Sequence, residues 1–258
     1  MAGLSVVAPV PTVTVHVLGR FGLEVDGTVR DVGPGVADLL ALLAVRGPTP
    51  RAVVCSSLWP DVDSESGRGR LRSLLYRTRQ VSGLDAVVQT PADTVDLAPG
   101  IAVDYRRARG WADRLARGRA RGRTGTSPDA DELADVVELV TPAVMPDHTA
   151  EWLAPYQVSW SHQRLRTLLT CAELALQLEA PDTAVRASEE VLLAEPFCEE
   201  AHYLLIRALV QEGFWSHAHH CYLRLQRMVA ELGCPPTKTF GELAFRAAGA
   251  ESLVHLSP

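Results

Sequence analysis

The chain has 258 residues, 47% of them hydrophobic and 22% charged, which suffices for one sizeable core or two modest ones and is too apolar for a disordered chain. No run approaches 18 apolar residues, the start MAGLSVVAPVP lacks the basic first segment of an export signal, and the five cysteines (Cys55, Cys171, Cys198, Cys221, Cys234) form no CxxC pair. A membrane-spanning helix, an exported disulfide scaffold and a zinc knuckle are thereby disfavoured, and the cytoplasm is the expected compartment.

Charge is uneven along the chain. Residues 1–103 hold 9 Arg and 10 Asp+Glu, residues 104–128 hold 8 Arg and 2 Asp, and residues 129–258 hold 8 Lys+Arg and 19 Asp+Glu. The acidic C-terminal half should repel polyanions, so a nucleic-acid role requires a local concentration of positive charge in the first half.

Residues 1–12 read as a flexible tail. From Val13 to Val25, β-branched and aromatic residues alternate with polar ones, which predicts short antiparallel strands, with Asp26-Gly27 as a hairpin turn and Val29 to Val32 as the return strand. Val36, Leu39, Leu40, Leu42 and Leu43 then recur at helical spacing until Gly47-Pro48, and a second helix runs from about Arg51 to Trp59 before Pro60. A third, about Glu65 to Val81, places Leu71, Leu74, Leu75, Thr78 and Val81 on one side. Two β-prone runs, Ala86 to Thr90 and Thr94 to Leu97, flank Pro91-Ala92-Asp93 as a second hairpin. This order suits a winged helix-turn-helix at residues 13–103.

From Val103 onward every periodic run is helical: about 104–118, 130–140, 149–178, 182–194, 198–212, 214–231 and 238–247. The arginine-rich stretch 106–123, running into Gly- and Ser-rich sequence, reads as a mobile insertion that stays free of DNA. Ala184 and Ala218 stand 34 residues apart, each early in the second helix of a pair, and Pro196 closes the first unit. That is the tetratricopeptide period, with Tyr222 and Leu225 filling the groove beyond the small residue. Residues 104–258 therefore read as an all-α, tetratricopeptide-like domain.

Between Ser66 and Val81 stand Arg68, Arg70, Arg72, Arg77 and Arg79 and no acid. An arginine row is most often a solvated face. Here it lies opposite an apolar stripe, follows a helix-turn unit and precedes a possible wing, which favours binding of double-stranded DNA. Arg72, Ser73 and Tyr76 are expected at base edges, and Arg68, Arg70, Arg77 and Arg79 on phosphates. His217, His220 and Cys221 share a helical face, but they surround core positions Ala218 and Tyr222, so no metal is assigned. No G-x-S-x-G elbow or P-loop occurs, and the tryptophans are scattered; neither an enzyme nor a cofactor is expected.

The runs VHVLGRFGLEVDG, LLALLAVRG, RAVVCSSLWPD and RGRLRSLLYRTR resemble the start of the Streptomyces antibiotic regulatory proteins. The sequence from Val103-Asp104 onward, especially EPFCEEAHYLLIRALVQEGFWSHAHHCYLRLQRMVAELG, resembles their bacterial transcriptional activation domain. The resemblance implies an OmpR-like winged helix on tandem direct repeats beside a promoter, and a helical domain that supports homodimerisation and activation through RNA polymerase and its sigma factor. It implies an activator of an antibiotic, or secondary-metabolite, gene cluster, with a recognition helix bearing Arg68, Arg70, Leu71, Arg72, Leu75, Arg77 and Arg79. Against the family pattern, Arg70 replaces an Asn, Thr78 a core Leu and Asp38 a basic residue, and Asp93 makes the hairpin tip acidic. The alternative is a helical-repeat protein–protein adaptor with a degenerate DNA-binding domain. An enzyme with a metal at His217, His220 and Cys221 is the third reading.

Overall fold

Strands β1 (Val13–His16) and β2 (Gly22–Val25) pair antiparallel with Val13 opposite Val25, and their alternation turns Val13, Val15, Leu23 and Val25 inward. Asp26 and Gly27 then take φ of 50° and 75°, the left-handed pair of a two-residue hairpin turn, which a glycine at the second position adopts without steric cost. Strand β3 (Thr28–Arg30) returns against β2. Helix α1 (Pro34–Arg46) buries Leu39, Leu40, Leu42 and Leu43, and Gly47 closes it by donating its N–H to the Leu43 carbonyl at 2.9 Å.

Strand β4 (Thr49–Pro50) leads into helix α2 (Arg51–Leu58), and helix α3 (Ser64–Ser82) follows the Trp59-Pro60-Asp61 turn. Strands β5 (Val87–Gln89) and β6 (Thr94–Leu97) form the second hairpin, and β4 completes its sheet in the order β4-β6-β5. Strand β7 (Ala102–Val103) lies parallel to β1, giving the first sheet the order β3-β2-β1-β7.

Among the described residues seven helices follow: α4 (Asp104–Ala120), α5 (Ala130–Val140), α6 (Ala154–Gln177), α7 (Pro181–Ala194), α8 (Glu199–Gln211), α9 (Trp215–Glu231) and α10 (Phe240–Ala248). The computed structural model describes residues 12–82, 87–89, 93–120, 128–231, 233 and 235–248. The expected tail through residue 11, the Pro91-Ala92 tip, Arg121, Arg123 and Cys234 lie outside the described residues. The fold is mainly α with a small β component, an OmpR-like winged helix-turn-helix followed by tetratricopeptide-like helices.

Two expectations are corrected. Over residues 106–120 the arginine-rich stretch is helical within α4 and not a mobile insertion, in keeping with the helix expected at about 104–118, because Tyr105, Ala108, Ala112 and Leu115 recur at three- and four-residue spacing and are buried. Arg106 donates to the Leu43 and Ala44 carbonyls at 2.7 and 3.1 Å and pairs with Asp96. It thereby satisfies the Ala44 carbonyl, which Pro48 cannot serve, and adds a second donor to Leu43. The helix expected from residue 149 begins at Ala154, since residues 151–153 form a turn that buries Leu153.

The chain divides into two compact units, residues 1–109 with 143–160, and residues 110–142 with 161–258. A single cut at 103/104 does not reproduce this division, because β1 is fastened to sequence beyond that point. The Asp104 carboxylate, 7% exposed, accepts the Val17 N–H at 3.0 Å and the Leu18 N–H at 3.1 Å. Gly19 donates to the Ala143 carbonyl at 2.7 Å, Met145 to Val17 at 3.0 Å, and Trp160 packs edge-on to Tyr105 at 5.6 Å. Replacing Asp104 by Ala strands two N–H groups at the end of β1 and should cost about 2 to 4 kcal/mol. A denaturant midpoint equal to the parent's would show that this carboxylate does not hold the sheet.

In the second unit, Asp129 caps α5 by accepting the Glu132 N–H at 2.8 Å. Helices α7, α8, α9 and α10 share a core that includes Ile206, Leu209, Ala218, Tyr222, Leu225 and Leu243. Ala184 and Ala218, the residues that set the repeat period, are both fully buried, as a close helix approach requires. His202 on α8 is 2% exposed; its Nε2 donates to the Pro196 carbonyl at 3.0 Å and its Nδ1 has no partner. Burial holds its pKa below the usual imidazole value.

The unfolded chain takes up this proton near pH 6.5 while the folded chain resists it. His202 thus favours the fold fully above about pH 6.5, and that contribution is lost as pH falls toward the lower folded pKa. His202→Gln, which can still donate to Pro196, should flatten the loss of stability below pH 6.5 by up to about 1.4 kcal/mol per pH unit. Urea titrations at pH 7.5, 6.5 and 5.5 measure it, and identical slopes in parent and variant would count against it.

Candidate nucleic-acid interface

The placement of α3 follows from its sequence. Asp63 begins it by accepting the Glu65 and Ser66 N–H groups, each at 3.0 Å. These bonds, led by that from Ser66, hold its carboxyl below the usual range. Four residues on, Gly67 permits the approach of α2: a Cβ there would stand 3.3 Å from the Cys55 Cβ. Leu71, Leu74, Leu75 and Thr78 then bury one face of α3, and a Cβ on Gly35 of α1 would meet Leu74 at 3.6 Å. Thr78, the departure from a core Leu, is fully buried with its hydroxyl donating to the Leu74 carbonyl at 2.9 Å.

All seven residues expected on DNA are exposed: Arg68, Arg70, Arg72, Ser73, Tyr76, Arg77 and Arg79. At about 100° per residue, Arg72, Ser73 and Tyr76 lie opposite the buried face, with Arg68 and Arg79 on one flank and Arg70 and Arg77 on the other. Tyr76 is 64% exposed, unusual for a large aromatic ring. The Ser73 hydroxyl donates to the Gly69 carbonyl at 3.3 Å, which leaves it as an acceptor outward. Leu71 and Leu75, which the resemblance places in the recognition helix, are buried and hold that helix in place. Gln80, exposed on the same outward face, was not among the expected site residues and adds a side chain able to bond base edges.

The acidic departures have local partners. Asp93 pairs with Arg51 at 2.9 Å, and its carbonyl accepts the Arg51 N–H. Asp38 lies 3.1 Å from His148, although burial raises its pKa. On α9, His217 and His220 are exposed while Cys221 is buried, and no group of three potential metal ligands forms among the described residues. No described helix is long and apolar enough to cross a membrane.

None of the curated proteins compared matches the chain. Among solved structures, the chain is similar to Mycobacterium tuberculosis EmbR, determined in complex with a low-affinity phosphopeptide. The TM-score is 0.66 at 18% identity, over 92% of this chain and 65% of that one. The likeness is one of fold, and the chain spans just under two thirds of EmbR's length. The sequence profile of the Bacterial transcriptional activator domain matches residues 103–245, more than half of the chain. That match bears out the resemblance drawn from Val103-Asp104 onward. The chain belongs to the bacterial transcriptional activator domain family.

Proposed function

We propose that the chain is a sequence-specific activator of a secondary-metabolite (antibiotic) biosynthetic gene cluster, acting in the cytoplasm. In this reading it binds tandem direct repeats beside the promoter as a homodimer and recruits RNA polymerase through its sigma factor. The observation that carries the reading is the acid-free arginine row of α3, exposed opposite a buried leucine face in a chain that belongs to an activator family. Residues 13–103 form the DNA-binding segment and residues 104–258 the activating one. Arg72, Ser73 and Tyr76 read base edges, and Arg68, Arg70, Arg77 and Arg79 hold phosphates. Two modules on adjacent repeats supply the affinity that one winged helix lacks at physiological salt.

Footprinting on the promoters nearest its gene, followed by in vitro transcription from a footprinted promoter, tests the reading. Protection of two repeats and a rise in transcript are expected. Full operator occupancy with no gain in transcript would remove activation and leave repression or scaffolding.

A further inference from the structure

Leu193 and Phe197 expose 78% and 56% of their surface. Single exposed apolar side chains are ordinary, but this pair has three properties that ordinary ones lack. The two lie four residues apart, on the last turn of α7 and in the turn to α8. That turn is fixed from beneath: Glu195 donates its N–H to Val191 at 2.8 Å, Cys198 to Glu195 at 3.0 Å, and buried His202 to the Pro196 carbonyl at 3.0 Å. From Glu189 to Glu200 the chain has five glutamates and no basic residue, and Glu189, Glu195 and Glu200 are exposed.

We propose that Leu193 and Phe197, bordered by Glu189, Glu195 and Glu200, form a docking surface for RNA polymerase, through a polymerase segment whose apolar side chains are flanked by Lys or Arg. This rests on the activation reading above and names the surface through which it acts. An aromatic anchor held on a fixed turn loses little conformational freedom on binding, which is where interface energy concentrates. The acidic border repels nucleic acid and selects a basic rim. A second copy of this chain docking by two-fold symmetry would bring the same glutamates face to face, which argues against it as the occupant.

The test uses the full chain, purified polymerase holoenzyme and a template whose operator is saturated and footprinted. The variants are Leu193→Ser with Phe197→Ser, and, separately, Glu195→Gln with Glu200→Gln. Both should protect the operator and melt as the parent does. The transcript gain should fall at least tenfold in the first and severalfold in the second. Parental activation by both variants at full occupancy would remove this surface and leave activation standing, whereas a parent that gives no gain would remove activation and the surface together. Sedimentation supplies the remaining outcome: a parental dimer made monomeric by the first variant would assign the surface to a second copy and overturn the proposal.

Discussion

Arg72→Ala should weaken binding to the true operator by about 1 to 3 kcal/mol and relax its sequence preference, with no change in melting temperature. The side chain is exposed and opposite the buried face of α3, so its loss leaves the core untouched. Arg79→Ala, on the flank of the same helix, should behave differently. A phosphate contact carries no sequence information, so all DNA is weakened alike and the slope of log affinity against log salt falls by about one. Gel-shift titrations on operator and scrambled duplex, at several salt concentrations, separate the two outcomes. If both variants bind like the parent, α3 is not the reading helix.

Leu74→Ala should weaken DNA binding by another route. Leu74 is 1% exposed, packed where Gly35 of α1 approaches it, with Leu71 and Leu75 beside it. Truncation removes buried methyl groups and leaves a cavity, at about 2 to 5 kcal/mol. Against a typical domain stability of about 5 to 15 kcal/mol, that is enough to lower the melting temperature by several degrees or more. Here binding and melting fall together, while for Arg72→Ala only binding falls. A Leu74→Ala protein that melts like the parent would show that this face is not packed as described.

Much of this was legible in the sequence because local signals and tertiary packing agree. The Asp26-Gly27 turn, the Gly47 stop after α1, the leucine stripe of α3 and the 34-residue spacing of Ala184 and Ala218 each encode a geometry that side chains alone dictate. The exposure of the seven residues proposed to contact DNA was readable for the same reason, since a face opposite a buried stripe is exposed. What escaped were contacts between residues far apart in sequence. Asp104 reaches back to Val17, Arg106 to Leu43, and Ala143 and Met145 to the end of β1. No periodicity marks them. The stretch 106–120 carried two signals at once, a helical period in Tyr105, Ala108, Ala112 and Leu115 and an arginine-rich composition, and the period decides.

The discontinuity of the first unit bears on synthesis. A ribosome delivers α3 early, yet strand β1 of the same unit is fastened just past its end, Val17 by Asp104 and Met145 and Gly19 by Ala143, and Tyr105 meets Trp160. A nascent chain that has emerged only through β7 holds α1, α2 and α3 but not the acceptor for Val17 and Leu18. Domains commonly fold as units during translation; this one closes only after residue 160 has cleared the exit tunnel, when much of the second unit's first helices has also appeared. A chimera joined once after β7 therefore takes the partners of Val17, Leu18 and Gly19, at positions 104, 143 and 145, from the other chain.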